Sequence, residues 1–238
     1  MSNHAILTAE AHRDLRVHMH QGADLGDGVM CCMTVPAEFR SVQNEYPIVF
    51  RMGAERDGFA AFALFGFQNG ENLFLDGDRW DARYRPLAMD IQPFLIGQPA
   101  AAAAAGDKQV HIDMNSPRIA RGEGMRVFDD LGRPTPYLEA IAGKLGELDA
   151  GFQASGDFFA ELRRLELLEP LALDITLDDG STYRFVGFHV IDEDRLRSLD
   201  EAEIAGLHRK GHLMPLFMAV ASLSNIGALV ARKNARHG

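Results

Sequence analysis

The residues of this 238-residue chain best suited to chemistry lie between Glu71 and Arg85. Asp76, Asp78 and Asp81, with Glu71 and Asn72 just upstream, gather oxygen donors of the kind a hard cation takes. A calcium loop of the helix–loop–helix type needs a bidentate Glu at its twelfth position, and counting from Asp76 that position is Leu87. The pattern fails, and a solvated turn with Asp capping its own backbone is the simpler reading. A second set overlaps the first. Trp80, Arg83 and Tyr84 belong to the residue types that concentrate at binding hot spots. Asn72, Trp80, Asp81, Arg83 and Tyr84 are therefore the candidate residues for binding a ligand or partner. The competing account packs Trp80 on the core and pairs Arg83 with Asp81 or Asp78.

Other motifs carry less. His208 and His212 stand four apart, the spacing that puts two imidazoles on one helix face for zinc. The Glu that follows the first His in metalloproteases is absent, and Arg209, Lys210 and Gly211 intervene. Two cations would oppose a dication. Ser222 and Ser224 lie in no Gly-x-Ser-x-Gly elbow, and Gly22, Gly26 and Gly28 follow no strand, so neither a nucleophile nor a dinucleotide site is indicated. The N-terminal histidines His4, His12, His18 and His20 match no ligand spacing. No catalytic residue, metal or cofactor is expected.

The elements that must position the candidate loop are readable. Tyr46 to Phe50 and Phe59 to Phe67 are apolar runs rich in Val, Ile and Phe and read as neighbouring strands. Asp57-Gly58 and Asn69-Gly70 supply the turns that end them. Val29 to Val35 is a further strand, and Pro36 opens a helix reaching about Glu45, with Phe39 and Val42 on its buried side. Pro86 to Ile91 is a turn or two of helix, and Phe94 to Ile96 and Gln109 to Met114 are short strands. Between them, the alanines Ala100 to Ala105 read as a surface loop or short helical cap. Helical periodicity runs from Tyr137 to about Leu168, interrupted by Gly151 and Gly156 into two helices or one kinked helix, and ended by Pro170. Leu171 to Val190 is a hairpin turning at Asp179-Gly180. Ser198 with Glu201 forms a capping box for a helix to about His208, and a last helix runs from near Pro215 to about Arg232.

That last helix is apolar all round, and at about 19 residues it approaches membrane-spanning length. Core, subunit interface and membrane are the available placements. The core is favoured, with its Ser222, Ser224 and Gly227 face left for any self-association. The fold class that results is α+β: a largely antiparallel sheet, with helices from the 137–168 region and a C-terminal 198–232 helical hairpin packed against it, in a single domain.

Composition bounds the partners. A net charge of −10 argues against general attraction to phosphate backbones or anionic lipid, so nucleic acid is not expected. The only cysteines, Cys31 and Cys32, are adjacent and cannot readily meet disulfide geometry. With no basic, apolar leader in view, a reduced, cytoplasmic protein is expected, with no membrane span.

The order Tyr46-Pro47-Ile48-Val49-Phe50, Gly70-Glu71-Asn72-Leu73-Phe74, Trp80-Asp81-Ala82-Arg83-Tyr84-Arg85-Pro86 resembles the SapC-like family of bacterial proteins. His12 to Val17 and Leu199 to Asn225 agree with it, so the resemblance covers nearly the whole chain. The family takes its name from a component linked to secretion of a surface-layer protein. The resemblance implies an accessory role around export or the envelope, not a known reaction, and it carries no catalytic residue. The alanine run is a departure. Two functions stand side by side: a non-enzymatic accessory protein recognising a protein or peptide, with homo-oligomers open, or a small-ligand protein or enzyme with a pocket near Trp80, Arg83 and Tyr84.

Overall fold

A computed structural model describes residues 3–53, 58–97, 108–120 and 122–237. In chain order the first elements are β1 (His4–Ile6), α1 (Ala9–His12), β2 (Arg16–Val17), β3 (Cys31–Thr34) and α2 (Phe39–Val42). They are followed by β4 (Ile48–Met52), β5 (Phe59–Leu64), β6 (Leu75–Asp76), β7 (Arg79–Trp80) and α3 (Leu87–Asp90). Then come β8 (Phe94–Gly97), β9 (Gln109–Asp113), β10 (Ile119–Ala120), β11 (Met125–Arg126) and α4 (Pro136–Arg164). The chain ends in β12 (Leu168–Thr176), β13 (Thr182–Ile191), α5 (Glu193–Arg197), α6 (Glu201–Arg209), α7 (Leu213–Ser222) and α8 (Asn225–His237). All the strand pairs are antiparallel, and the fold is α+β. The alanine run and the Asp57 half of the Asp57-Gly58 turn lie outside the described residues.

The chain divides into two compact units. The first comprises Met1–Gly28, Leu75–Trp80 and Leu87–Ala150. It holds small sheets in the orders β1-β9-β8 and β10-β2-β11, the β6–β7 hairpin, and the stripe Leu138, Ile141, Leu145 and Leu148 of α4, all buried. Its N-terminal histidine segment is fastened by a buried ion pair. Arg118 lies 2.5 Å from Asp27, whose same oxygen accepts the Gly22 N–H, while Arg118 also donates to the carbonyl of His20.

The second unit comprises Val29–Phe74, Asp81–Pro86 and Gly151–Gly238, and is built on a five-stranded sheet ordered β12-β13-β4-β5-β3. Alternation puts Ile48, Phe50, Ala61, Ala63, Cys32 and Thr34 on one face of this sheet, all buried. Phe39 of α2 and Phe159 of α4 pack edge-on against Phe50, and Phe39 meets Phe158 in turn. On the opposite face Arg51 lies 4.4 Å over Phe62 and 5.7 Å over Phe188, capping aromatic rings with a cation. Cys31 and Cys32 are free thiols pointing to opposite faces of β3, and burial raises the pKa of each, Cys32 the more strongly.

Several boundaries differ from the sequence reading, each for a local reason. The segment after Pro36 is a single 3-10 turn, Pro36–Glu38, followed by the short α2. Pro170 does not end the long helix. The helix stops at Arg164, Glu166 takes a left-handed φ of 54°, and Pro170 sits in the edge strand β12, where a missing N–H costs no ladder bond. The capping box belongs to Asp200 and Glu203 rather than Ser198 and Glu201, because the Ser198 hydroxyl donates to the Arg195 carbonyl. The C-terminal apolar stretch is two helices, not one. Ser222 and Ser224 donate to the carbonyls of Ala219 and Ala221, which favours the break at Leu223–Ser224.

This C-terminal hairpin is also less enclosed than its composition suggests. Leu216, Met218, Ala219, Ser222 and Leu229 are buried, but Met214 and Phe217 stand 55% and 52% exposed. Ser222, assigned from sequence to the face left for self-association, is wholly buried and accepts the Ile48 N–H at 2.8 Å. It docks α7 on the sheet.

Gly151 and Gly156 do not break α4, which is continuous over its 29 residues. A Cβ on Gly151 would lie 2.5 Å from a methyl of Val35, whereas one on Gly143, Gly146 or Gly156 would meet nothing within 4 Å. Alanine is favoured over glycine in a helix interior by about 1 kcal/mol. Gly156→Ala and Gly143→Ala should therefore raise stability by up to about 1 kcal/mol, and Gly151→Ala should lower it despite the same propensity gain. Urea unfolding of the variants reads the sign. A stabilised Gly151→Ala would mean Val35 is not packed on that turn.

A second prediction concerns acid. His212 is buried at the start of α7, its ring centred 5.6 Å from Phe158 and its Nε2 without a hydrogen-bond partner. Burial pulls its pKa below 6.5 and Lys210 adds to the shift, while Glu161 and Asp157 oppose it. A histidine with a depressed folded pKa binds more protons unfolded than folded, so its contribution is lost as pH falls through 6.5. The stability curve of His212→Gln should be flatter on the acid side of pH 6.5 than that of the parent. Equal slopes would assign the acid sensitivity to other groups.

Candidate functional site

The five candidate residues do not act alike. Trp80 belongs to the first unit, where it pairs with Leu75 across the β6–β7 hairpin and is buried. Asn72, Asp81, Arg83 and Tyr84 belong to the second. Asn72 is buried, and its side-chain oxygen accepts the Phe74 N–H at 2.9 Å, closing a local turn. Asp81 pairs with Arg232 of α8 at 2.8 Å, and the same guanidinium donates to the Asp81 carbonyl and lies 4.4 Å over the Phe74 ring.

The carboxylates that looked like a cation loop go to different partners. Asp76 pairs with Arg79 in the hairpin at 3.3 Å. Glu71 pairs with Lys233 at 2.6 Å, and its other oxygen accepts the Phe67 N–H at 2.7 Å. Lys233 is wholly buried, with its ammonium 4.2 Å over the Tyr183 ring. One turn on, Arg236 donates to the Asn72 carbonyl at 2.9 Å. Three cations of α8, at i, i+1 and i+4, thus grip the chain at Glu71, Asn72 and Asp81. Among the described residues no three His, Cys, Asp or Glu side chains converge as a metal site, and His208 is exposed on α6 while His212 is buried beyond Gly211.

Downstream of Asp81 the chain is held by α2 and its flanks. Both oxygens of Glu45 accept the Arg83 N–H at 2.9 Å, and one also accepts the Tyr84 N–H at 3.0 Å. The Tyr84 hydroxyl donates at 2.7 Å to the buried Glu38, whose second oxygen takes the Thr34 hydroxyl at 2.7 Å. Tyr46, enclosed by Phe65 and Phe74, donates its hydroxyl to the Tyr84 carbonyl. Residues 83 and 84 are therefore fixed at backbone and hydroxyl while the Arg83 side chain stays exposed. Its guanidinium makes no ion pair among the described residues. It stands at an open recess of about 650 Å³ lined by Ser41, Asn44, Glu45, Arg83 and Tyr84.

Of the sequence candidates, only Arg83 and Tyr84 reach this recess. Ser41, Asn44, Glu45 and the supporting Glu38 were not foreseen, because Glu45 lies 38 residues from Arg83 and no local spacing links them. Among the described residues the one lining carboxylate, Glu45, accepts backbone amides, and the Tyr84 hydroxyl donates to Glu38.

The Lys233–Glu71 pair sets a stability prediction. Removing one partner of a buried ion pair costs about 3–5 kcal/mol, because the other charge is left uncompensated. Lys233→Ala should lose stability on that scale, and Lys233→Met combined with Glu71→Gln should recover much of it. Denaturant midpoints of the three chains decide the matter. A Lys233→Ala chain as stable as the parent would mean the pair is not enclosed.

Neither curated proteins nor solved structures provide a match to the chain. The SapC family model, by contrast, matches residues 7–229, taking in α2, the Glu71–Tyr84 segment and α7 together. On that coverage the protein belongs to the SapC family.

Proposed function

We propose that this SapC-family protein is a non-enzymatic accessory protein that binds a protein or peptide at the recess beside Arg83, in support of envelope or secretion processes. The observation that carries the reading is the braced Arg83–Tyr84 segment. Three hydrogen-bonding side chains, Glu45, Glu38 and Tyr46, hold it, yet its guanidinium is exposed at the mouth of an open, polar recess. Rigid backbone beneath an exposed arginine suits an interaction surface, since little ordering cost remains to be met on binding. A cytoplasmic location belongs to this reading and is supported by the two free thiols. No membrane span is part of it. Leu213–Arg236 is long and apolar enough to cross a membrane by length and composition alone, but Arg232 and Lys233 within it are bound to Asp81 and Glu71.

The second reading is a small-ligand protein or enzyme. The recess volume of about 650 Å³ favours it, because small-molecule sites fall in the range of about 300–1,000 Å³. A photo-crosslinking amino acid placed at Asn44, with Leu131 of the first unit as control, separates the two in cells of the source organism. The expected result is a discrete crosslinked polypeptide from position 44 that is absent from position 131 and lost when Ser41→Trp fills the recess. Crosslinks indifferent to Ser41→Trp, together with a small-molecule fraction that raises the unfolding temperature of the parent but not of Ser41→Trp, would overturn the accessory reading for the second.

A further inference from the structure

Resting on that reading, we infer that the recess selects a carboxylate, so that the bound segment carries an exposed Asp, Glu or C-terminal carboxyl group seated on the Arg83 guanidinium. The hydrogen-bonding inventory of the lining decides this. Acceptors are the smaller set: both Glu45 oxygens take the Arg83 and Tyr84 amides, which leaves the Asn44 amide oxygen and the Ser41 hydroxyl oxygen. The Tyr84 hydroxyl is committed as well, donating to Glu38. Donors remain. The Arg83 guanidinium carries five N–H groups in a planar fork, the Ser41 hydroxyl makes no hydrogen bond among the described residues, and Asn44 spends one amide hydrogen on the Arg40 carbonyl at 3.1 Å while keeping the other. A donor-rich wall asks for an acceptor-rich group, and the guanidinium fork fits a carboxylate through two parallel bonds.

Charge narrows the choice further. Glu45 and Arg83 carry opposite unit charges, so the two together are neutral. A monoanion leaves the site at −1, whereas a phosphate dianion beside Glu45 would be repelled, with no second cation among the described lining residues to offset it. The anchor is also pre-set. Because Glu45 fixes the Arg83 backbone and Tyr46 and Glu38 fix Tyr84, only the Arg83 side chain must be ordered when the carboxylate arrives.

Fluorescence anisotropy with the full chain tests the assignment, using labelled hexapeptides matched in length and carrying Glu, Gln or Lys at two central positions, and inorganic phosphate as competitor. The Glu peptide should bind saturably and at least about fivefold more tightly than the Gln peptide. Arg83→Ala should erase that preference, Arg83→Lys should keep part of it, and Arg184→Ala on β13 should leave it intact. Circular dichroism and unfolding of Arg83→Ala should match the parent, since the side chain is exposed. If Glu and Gln peptides bind alike, and both are lost in Ser41→Trp, the carboxylate assignment is wrong while peptide binding at the recess stands. If no peptide distinguishes the parent from Ser41→Trp, the binding reading itself fails. Phosphate displacing the Glu peptide at equal concentration would overturn selection of a carboxylate in favour of a general anion site.

Discussion

The buried contact between Lys233 and Glu71 is the constraint on which the second unit's loop geometry depends. Glu71 is held by Lys233 through one oxygen and by the Phe67 N–H through the other, which ties the turn leaving β5 to α8. Arg232, the preceding residue of α8, can then reach Asp81, and Arg236 the Asn72 carbonyl. These bonds fix both ends of the excursion from Asn72 to Asp81. Only with Asp81 in place does the chain enter residues 83 and 84 at the position where Glu45 receives their amides. Displacing α8 would therefore reach Arg83 without any direct contact between them.

Such a clamp is better understood as a specifier of geometry than as a source of stability. Taking an ammonium fully out of water carries a desolvation penalty of several kcal/mol, which a single carboxylate does not reliably repay. An apolar pair would fill the same space as well or better. What an apolar pair lacks is a hydrogen bond: Lys233 donates to Glu71 at 2.6 Å while its ammonium lies 4.2 Å over the Tyr183 ring. The same holds in the first unit, where Arg118 ties Asp27 to the histidine segment through oriented bonds rather than bulk. We infer that both units use enclosed charge to choose among loop paths that hydrophobic burial alone would leave nearly equal.

This division of labour explains what the sequence revealed. Period-two alternation and turn residues located β4, β5 and the β12–β13 hairpin, because those signals are local. The helical periodicity of α4 was equally plain, and Leu138, Ile141, Leu145, Leu148, Phe158 and Leu162 on it are buried. The use of Gly151 is not local: it accommodates Val35, more than a hundred positions earlier. The candidate loop has partners equally remote in sequence. Asp81 meets Arg232 and the Asn72 carbonyl meets Arg236, while the Asn72 side chain closes its own turn on Phe74, and no spacing within the loop announces Arg232, Lys233 or Arg236. Trp80 likewise carried the residue type of a hot spot while serving as one side of a two-residue hairpin ladder. Arg83 was legible by type alone; its brace of Glu45, Tyr46 and Glu38 was not.

The overall charge sharpens what a carboxylate-seeking Arg83 could mean. At −10 the chain repels an acidic segment at distances beyond its own surface, so long-range steering cannot be what brings the two together. Selection would have to arise at contact, within the Debye length of about 8 Å at physiological ionic strength, where one guanidinium outweighs the distant acids. Such recognition is slow to form and specific in geometry, and it depends on the arginine being held where its partner arrives. The bonds of Glu45, Tyr46 and Glu38 to residues 83 and 84 supply that placement, and the grip of α8 on Asp81 supplies the approach to it. A flexible arginine on the same surface would have the charge without the address.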